Sequence, residues 1–159
     1  MIKVALLLTA VLLVFLIQNL KAQTISSLEI ERLINLKAME WGVDSALVKA
    51  VVKVESNFNV RAKNPLDPSY GLMQITPILA QDFGYVKNWR SPSNAEIENL
   101  YNPSTNLDIG CGFLSKLLKK YSFDETVQMY NVGEAGYNIY NVRNYSYLEK
   151  VKVAYGIYS

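Results

Sequence analysis

Apolar residues recur along this chain at helical spacing, and no stretch shows the sustained alternation of a half-buried strand. Ser26-Ser27-Leu28-Glu29 has the form of a capping box. It predicts a first amphipathic helix running to Trp41, with Leu28, Leu33, Ile34, Leu36 and Met39 facing a core and Gly42 as the stop. Asp44 is a good N-cap for a second helix, Ser45 to Glu55. Between Asn57 and Tyr70 the period is lost, and Pro65 and Pro68 predict turns. A small hairpin fits within residues 57–75. Thr76-Pro77 opens a short helix that Gly84 ends. Ser93, with Glu96 three residues on, starts another inside residues 85–103. Asn102-Pro103 leads into a longer helix reaching about Tyr121, where Gly110 and Gly112 predict close packing against another backbone. Asp124 caps a helix to about Val132, closed by Gly133, and Ser146-Tyr147-Leu148-Glu149 starts the last one. The pattern predicts a single, mainly helical domain.

The first residues read differently. Lys3 precedes an apolar run from Val4 to Ile17 broken only by Thr9, and Leu20-Lys21-Ala22 offers a small residue before a cut. That is the form of a secretory signal peptide over residues 1–22, leaving 23–159 as the mature domain. The run is shorter than the roughly 20 residues that span a bilayer. An uncleaved anchor is the alternative. Only Lys3 and Lys21 of the 16 basic side chains lie in this segment, and none of the 14 acidic ones does, so the remainder is charge-balanced. Nothing there favours nucleic acid or an anionic membrane. Cys111 is the only cysteine and cannot pair within the chain; its stripe with Leu107, Leu114 and Leu118 predicts a buried core residue. The chain has no histidine, which excludes Ser-His-Asp and Cys-His nucleophilic sites and argues against a zinc site. Neither metal nor cofactor is expected. What remains for an exported enzyme is carboxylate chemistry.

One carboxylate stands out. On the second helix Ser45, Lys49, Lys53 and Ser56 form a polar stripe, while Leu47, Val48, Val51, Val52 and Val54 take the core side. Glu55 follows Val51 by four and Val48 by seven, so it projects beside the apolar face. Burial and the negative end of the helix dipole both disfavour its anion and raise its pKa. A carboxylic acid that donates a proton near neutral pH needs that shift. A half-buried glutamate bonded to a backbone amide of the next loop is the structural reading of the same position.

Five pieces then occur in order: Glu55-Ser56-x-Phe58, Gly71-Leu72-Met73-Gln74-Ile75, Asn106-Leu107-x-x-Gly110, Tyr130-Asn131-x-Gly133 and Tyr147-x-x-x-Val151. Together they resemble the soluble lytic transglycosylase (SLT) domain of the lysozyme-like superfamily, over roughly residues 46 to 151. The resemblance implies a lysozyme-like fold and cleavage of the bond between N-acetylmuramic acid and N-acetylglucosamine in peptidoglycan without water. Glu55 would protonate the glycosidic oxygen, the substrate's N-acetyl carbonyl would stabilise the cationic sugar, and Glu55 would then take the C6 hydroxyl proton to leave a 1,6-anhydro end. One carboxylate thus suffices where most glycosidases use two. By the same resemblance Tyr130 sits near the reacting centre as a second catalytic residue. Met73, Gln74, Asn131 and Tyr147 line the groove, and Asn64 stands where relatives often carry a serine that contacts the acid. The expected partner is the glycan strand, acted on by a monomer in the periplasm or cell envelope. A lone catalytic domain also resembles enzymes that open the wall for a secretion or conjugation apparatus.

The departures lie in the loop between Glu55 and Gly71, one residue longer than is usual for the family, and in Gln128-Met129, which replaces small residues before the Tyr-Asn pair. Eight of the 11 tyrosines fall between Tyr121 and Tyr158. Most are packing residues, with one to three stacking on sugar. Asp67 lies within Pro-Leu-Asp-Pro, a turn setting; as a second carboxylate it would allow a water-using, lysozyme-type muramidase. A catalytically silent glycan-binding module is the other alternative.

Overall fold

A computed structural model describes residues 27–159; the signal-peptide reading of residues 1–22 lies outside them. The chain divides into Met1–Glu31 and a compact unit, Arg32–Ser159, which carries everything that follows apart from the start of the first helix. The described elements are α1 (Ser27–Trp41), α2 (Ser45–Ser56), α3 (Pro77–Asp82), α4 (Asn94–Leu100), α5 (Pro103–Leu118), α6 (Phe123–Val132), α7 (Glu134–Asn138) and α8 (Tyr145–Tyr158). Among the described residues there is no named strand. Two isolated antiparallel bridges, Lys63 to Tyr70 and Tyr70 to Ile75, occupy the place of the expected hairpin.

Capping chemistry sets most of the boundaries. Asp44 accepts from the Ala46 N–H at 2.8 Å and opens α2. Thr76 with Pro77 opens α3, and Ser93 with Glu96 forms a reciprocal box at α4. Two expected caps are corrected. Ser122, paired with Glu125, caps α6, so Asp124 lies inside the first turn. Asn144 caps α8 through the Tyr147 N–H, so Ser146 is already helical. In both cases a polar side chain two residues earlier reaches the free amides first. The short α7 has no side-chain cap and no apolar period, and it was not expected.

The core-facing side of α1 is also corrected. Ile34 and Ala38 are buried, whereas Leu28, Leu36 and Met39 are exposed. A helix buries one stripe at i and i+4, and the chain carries more apolar residues on α1 than that stripe holds. The centre of the unit is α2, which buries Leu47, Val48, Val51 and Val52 and packs extensively along α8. Beside it runs α5, whose Leu107, Ile109, Cys111, Leu114 and Leu117 are fully buried. As expected, Cys111 is buried, and burial pushes its thiol up to about 12. Pairing α2 with α8 brings the middle of the chain against its end.

Candidate active site

Glu55 occupies the last turn of α2. Directly after the helix, Asn57 (φ 50°) and Phe58 (φ 63°) both adopt the left-handed region. Two successive non-glycine residues there turn the chain sharply away. Lys53 secures the turn, donating to Asn57 Oδ1 at 2.6 Å, and Phe58 packs edge-on to Tyr158. The loop then returns beside the helix end, where Asn57 and Asn64 line the same cavity as Glu55.

Tyr147, on the facing turn of α8, donates its hydroxyl to Glu55 Oε1 at 2.6 Å. Burial raises the Glu55 pKa to about 7, and the Tyr147 bond opposes that rise. Desolvation wins because one hydrogen bond recovers only part of the hydration a carboxylate loses. Tyr147 is itself pushed well above its ordinary value, first by burial and then by the Glu55 charge. At neutral pH Glu55 is therefore divided between acid and carboxylate beside a tyrosine that stays protonated.

The second wall is built by an asparagine. Asn106, at the start of α5, is fully buried. Its Oδ1 accepts the Met73 N–H at 2.7 Å, and its Nδ2 donates to the Tyr70 and Leu100 carbonyls, each at 2.7 Å. Gly71 lies against that carboxamide with φ 75°; a Cβ there would collide with it. One turn along α5, a Cβ on Gly110 would collide with the Met73 thioether. The Gly71-Leu72-Met73-Gln74 and Asn106-Leu107-x-x-Gly110 pieces are thus two halves of one contact. The Tyr130 hydroxyl completes it by donating to the Met73 carbonyl at 2.9 Å. Tyr130 is raised well above its usual pKa by burial, with a smaller contribution from Glu55, so the two rings of the site both face the acid electrostatically.

A cavity of about 1130 Å³ opens here, lined by Glu55, Asn64, Gln74, Tyr130 and Asn131 among others. Met73 does not line it. Its side chain is fully buried against α5, and it touches the site through its backbone, which corrects the expectation of a groove-lining thioether. Tyr147 is also absent from the lining and acts on Glu55 from behind. Gln74 lines the cavity in a left-handed conformation (φ 49°). Its carboxamide accepts from Ser69 at 2.9 Å and donates to the Gly71 and Ala62 carbonyls at 3.0 and 3.3 Å. Those bonds tie the loop to itself. Asn64 spends its side-chain oxygen on the Leu66 N–H at 3.0 Å, and the bond to Glu55 comes from Tyr147 instead. Asn131 is exposed and accepts from Asn144 at 2.7 Å. Asp67 lines the cavity on an exposed turn, where its carbonyl takes the Ser69 N–H at 2.7 Å. Asn106 and Ser69 were not expected to serve the site. Burial and hydrogen bonding reveal them, and only the position of Asn106 within a motif hinted at either. No group of three or more metal-ligating side chains occurs among the described residues.

A family model described as the Transglycosylase SLT domain matches residues 32–152. The chain is 40% identical over 84 residues to a membrane-bound lytic murein transglycosylase E of Buchnera aphidicola subsp. Acyrthosiphon pisum, covering 53% of this chain and 37% of that protein. It is 34% identical over 90 residues to a membrane-bound lytic murein transglycosylase C of Glaesserella parasuis, covering 56% and 24%. It therefore spans well under half the length of these relatives. Among solved structures, lytic transglycosylase Slt of Pseudomonas aeruginosa superposes with a TM-score of 0.60 at 19% identity, covering 79% of this chain and 23% of that one. The 70 kDa soluble lytic transglycosylase of Escherichia coli gives 0.54 at 23% identity, covering 78% and 20%. At such identity the likeness is one of fold.

Proposed function

The chain belongs to the Transglycosylase SLT domain family, and on that premise we propose that it cleaves the β-1,4 bond between N-acetylmuramic acid and N-acetylglucosamine in peptidoglycan, leaving a 1,6-anhydro end. The observation that carries this reading is the setting of Glu55: half-buried in the cavity lining, held by one tyrosine hydroxyl, and raised by desolvation to about pKa 7. An acid so balanced can give a proton to the glycosidic oxygen and, as a carboxylate, accept one from the C6 hydroxyl with little free energy lost at either step. The charge of no second carboxylate shifts it, in keeping with a mechanism that needs only one. Tyr130 contributes a fixed hydroxyl dipole beside the reacting centre. Asn64, Gln74 and Asn131 offer walls to the glycan, and Met73 and Tyr147 support those walls and the acid. The cavity, about 1130 Å³, stands at the upper end of the roughly 300–1,000 Å³ range of ligand pockets and has room for a short glycan segment.

The relatives' names include "membrane-bound" and "murein". In line with them we place the enzyme in the cell envelope after export, acting as a monomer, with service to a secretion or conjugation apparatus as one setting. No helix of the described residues is long and apolar enough to cross a membrane. Asp67 in the cavity lining keeps a water-using reading open. Mass spectrometry of fragments from purified cell walls decides between them. Products one water lighter than the hydrolysed fragments support the transglycosylase reading; fully hydrated ends support the muramidase, and no release at all supports a silent binding module.

A further inference from the structure

The loop after α2 is the stretch whose length departs from the family's, and it supplies much of one cavity wall. Asn57, Ala62, Lys63, Asn64 and Asp67 all come from it. Its regular structure is limited to isolated bridges, and a clamp away from the cavity gives it a further fixed point. Both terminal nitrogens of Arg61 donate to Glu98 on α4, one to each carboxylate oxygen, the second at 3.2 Å. The same guanidinium lies over the Tyr101 ring, 4.1 Å from its centroid. Tyr101 in turn stands edge-on to Tyr70 at 5.4 Å. None of Arg61, Glu98 and Tyr101 lines the cavity, and the cleavage proposed above uses none of them.

The helix on which Arg61 closes is itself well anchored. Ser93 and Glu96 cap α4 reciprocally, and Leu100 is fully buried. The Leu100 carbonyl is held by Asn106, which also holds the Met73 N–H. Arg61 thus ties the loop to the support that carries the Gly71–Gln74 turn. Its neighbour joins the two directly: the Ala62 carbonyl accepts the Gly71 N–H at 2.8 Å and the Gln74 carboxamide at 3.3 Å. A shift at Arg61 therefore moves the carbonyl that orients Gln74, together with Lys63 and Asn64. Stability is not what the clamp supplies. The Arg61 and Glu98 side chains are 58% and 64% exposed, and exposed ion pairs contribute little to folding. A forked pair laid on a ring fixes direction instead, since two parallel bonds and a stacked plane leave the guanidinium one orientation. We infer that Arg61, set by Glu98 and Tyr101, is a positioning residue for substrate: it holds the Ala62–Asn64 wall and Gln74 at the spacing the strand needs, without touching the strand. This rests on the glycan reading of the cavity.

The test is steady-state cleavage of glycan strands solubilised from purified cell walls, by the full chain and by variants at the clamp. Arg61→Met keeps an apolar stem and removes the fork, Glu98→Ala removes it from the other side, and Arg61→Glu combined with Glu98→Arg exchanges the two ends. The expected result for each single variant is a KM raised about fivefold with kcat within about twofold of the parent. The pH profile should stay in place and the melting temperature within about 2 °C. The exchanged pair should recover most of the lost KM, because the tie is rebuilt with its charges reversed. An unchanged KM in the single variants overturns the inference. So does a KM raised by Arg61→Met that Glu98→Ala does not reproduce and the exchange does not restore, which would make Arg61 a direct contact of the strand. A fall in kcat that accompanies a lowered melting temperature overturns it too, by making the clamp a support of the fold. A parent that leaves the strands uncut overturns the glycan reading, on which the role of the clamp depends.

Discussion

At the scale of the residue, the environment that suits Glu55 to its proposed role has a cost in stability. Its folded pKa of about 7 exceeds the ordinary 4.5. Between those values the folded protein holds a proton on Glu55 that the unfolded chain has released, so the contribution of Glu55 to stability is greatest below pH 4.5, falls as pH rises, and levels off above pH 7. The full loss is roughly 3 kcal/mol. Glu55→Gln removes the titrating group yet keeps an oxygen for Tyr147. It should abolish cleavage of cell walls, retain binding, and raise the melting temperature at pH 8 but not at pH 4, as calorimetry at the two pH values will show. Tyr147→Phe acts the other way on the acid. Without the bond that favours the carboxylate, the Glu55 pKa should climb above 7 and the alkaline limb of kcat/KM should move to higher pH; an unmoved limb would separate Tyr147 from the acid's titration.

At the scale of the element, the site depends on one turn pinned from two helices. The Gly71–Gln74 turn carries a left-handed Gln74, a conformation that costs on the order of 1–3 kcal/mol unless its surroundings impose it. Asn106 from α5 and Tyr130 from α6 impose it, taking the N–H and the carbonyl of Met73. Asn106→Ala strands two buried backbone groups, the Met73 N–H and the Leu100 carbonyl, while the Tyr70 carbonyl keeps the Ile75 N–H; it should destabilise by about 2–5 kcal/mol in denaturant titration. Tyr130→Phe frees only one carbonyl and should cost about 1 kcal/mol while lowering kcat well beyond that loss. This division explains what the sequence disclosed. The helices were legible because a period of 3.6 and a capping side chain are local signals; Asp44 and Ser93 sit where those signals place them. Ser122 and Asn144 were misread because two polar residues stood close together and only tertiary geometry chooses between them. The exposed Met39 and Leu36 have the same origin: periodicity shows that α1 is amphipathic without showing which stripe a partner covers.

At the scale of the molecule, the site joins residues far apart in the chain, Glu55 with Tyr147 and Met73 with Tyr130 and Asn106. The motifs marked each of these stretches, but not which atoms meet. Met73 was legible as a motif member and illegible as a core residue, since only packing against Gly110 distinguishes the two. Charge is the property the sequence reports most directly. Residues 27–159 carry equal numbers of acidic and basic side chains, and the cavity mixes Lys53, Lys63 and Lys116 with Asp67, Asp82 and Glu134. A glycan held by such a surface is held by hydroxyl hydrogen bonds and apolar contact, which salt screens little, and no long-range field draws the strand in. Cleavage of solubilised strands, followed as kcat/KM, should therefore change by less than about twofold as salt rises from roughly 0.05 to 0.5 M at pH 6. A steep fall over that range would mean that the lysines bind anionic groups of the strand, and Lys63→Glu and Lys116→Glu would then show which end of the cavity is responsible.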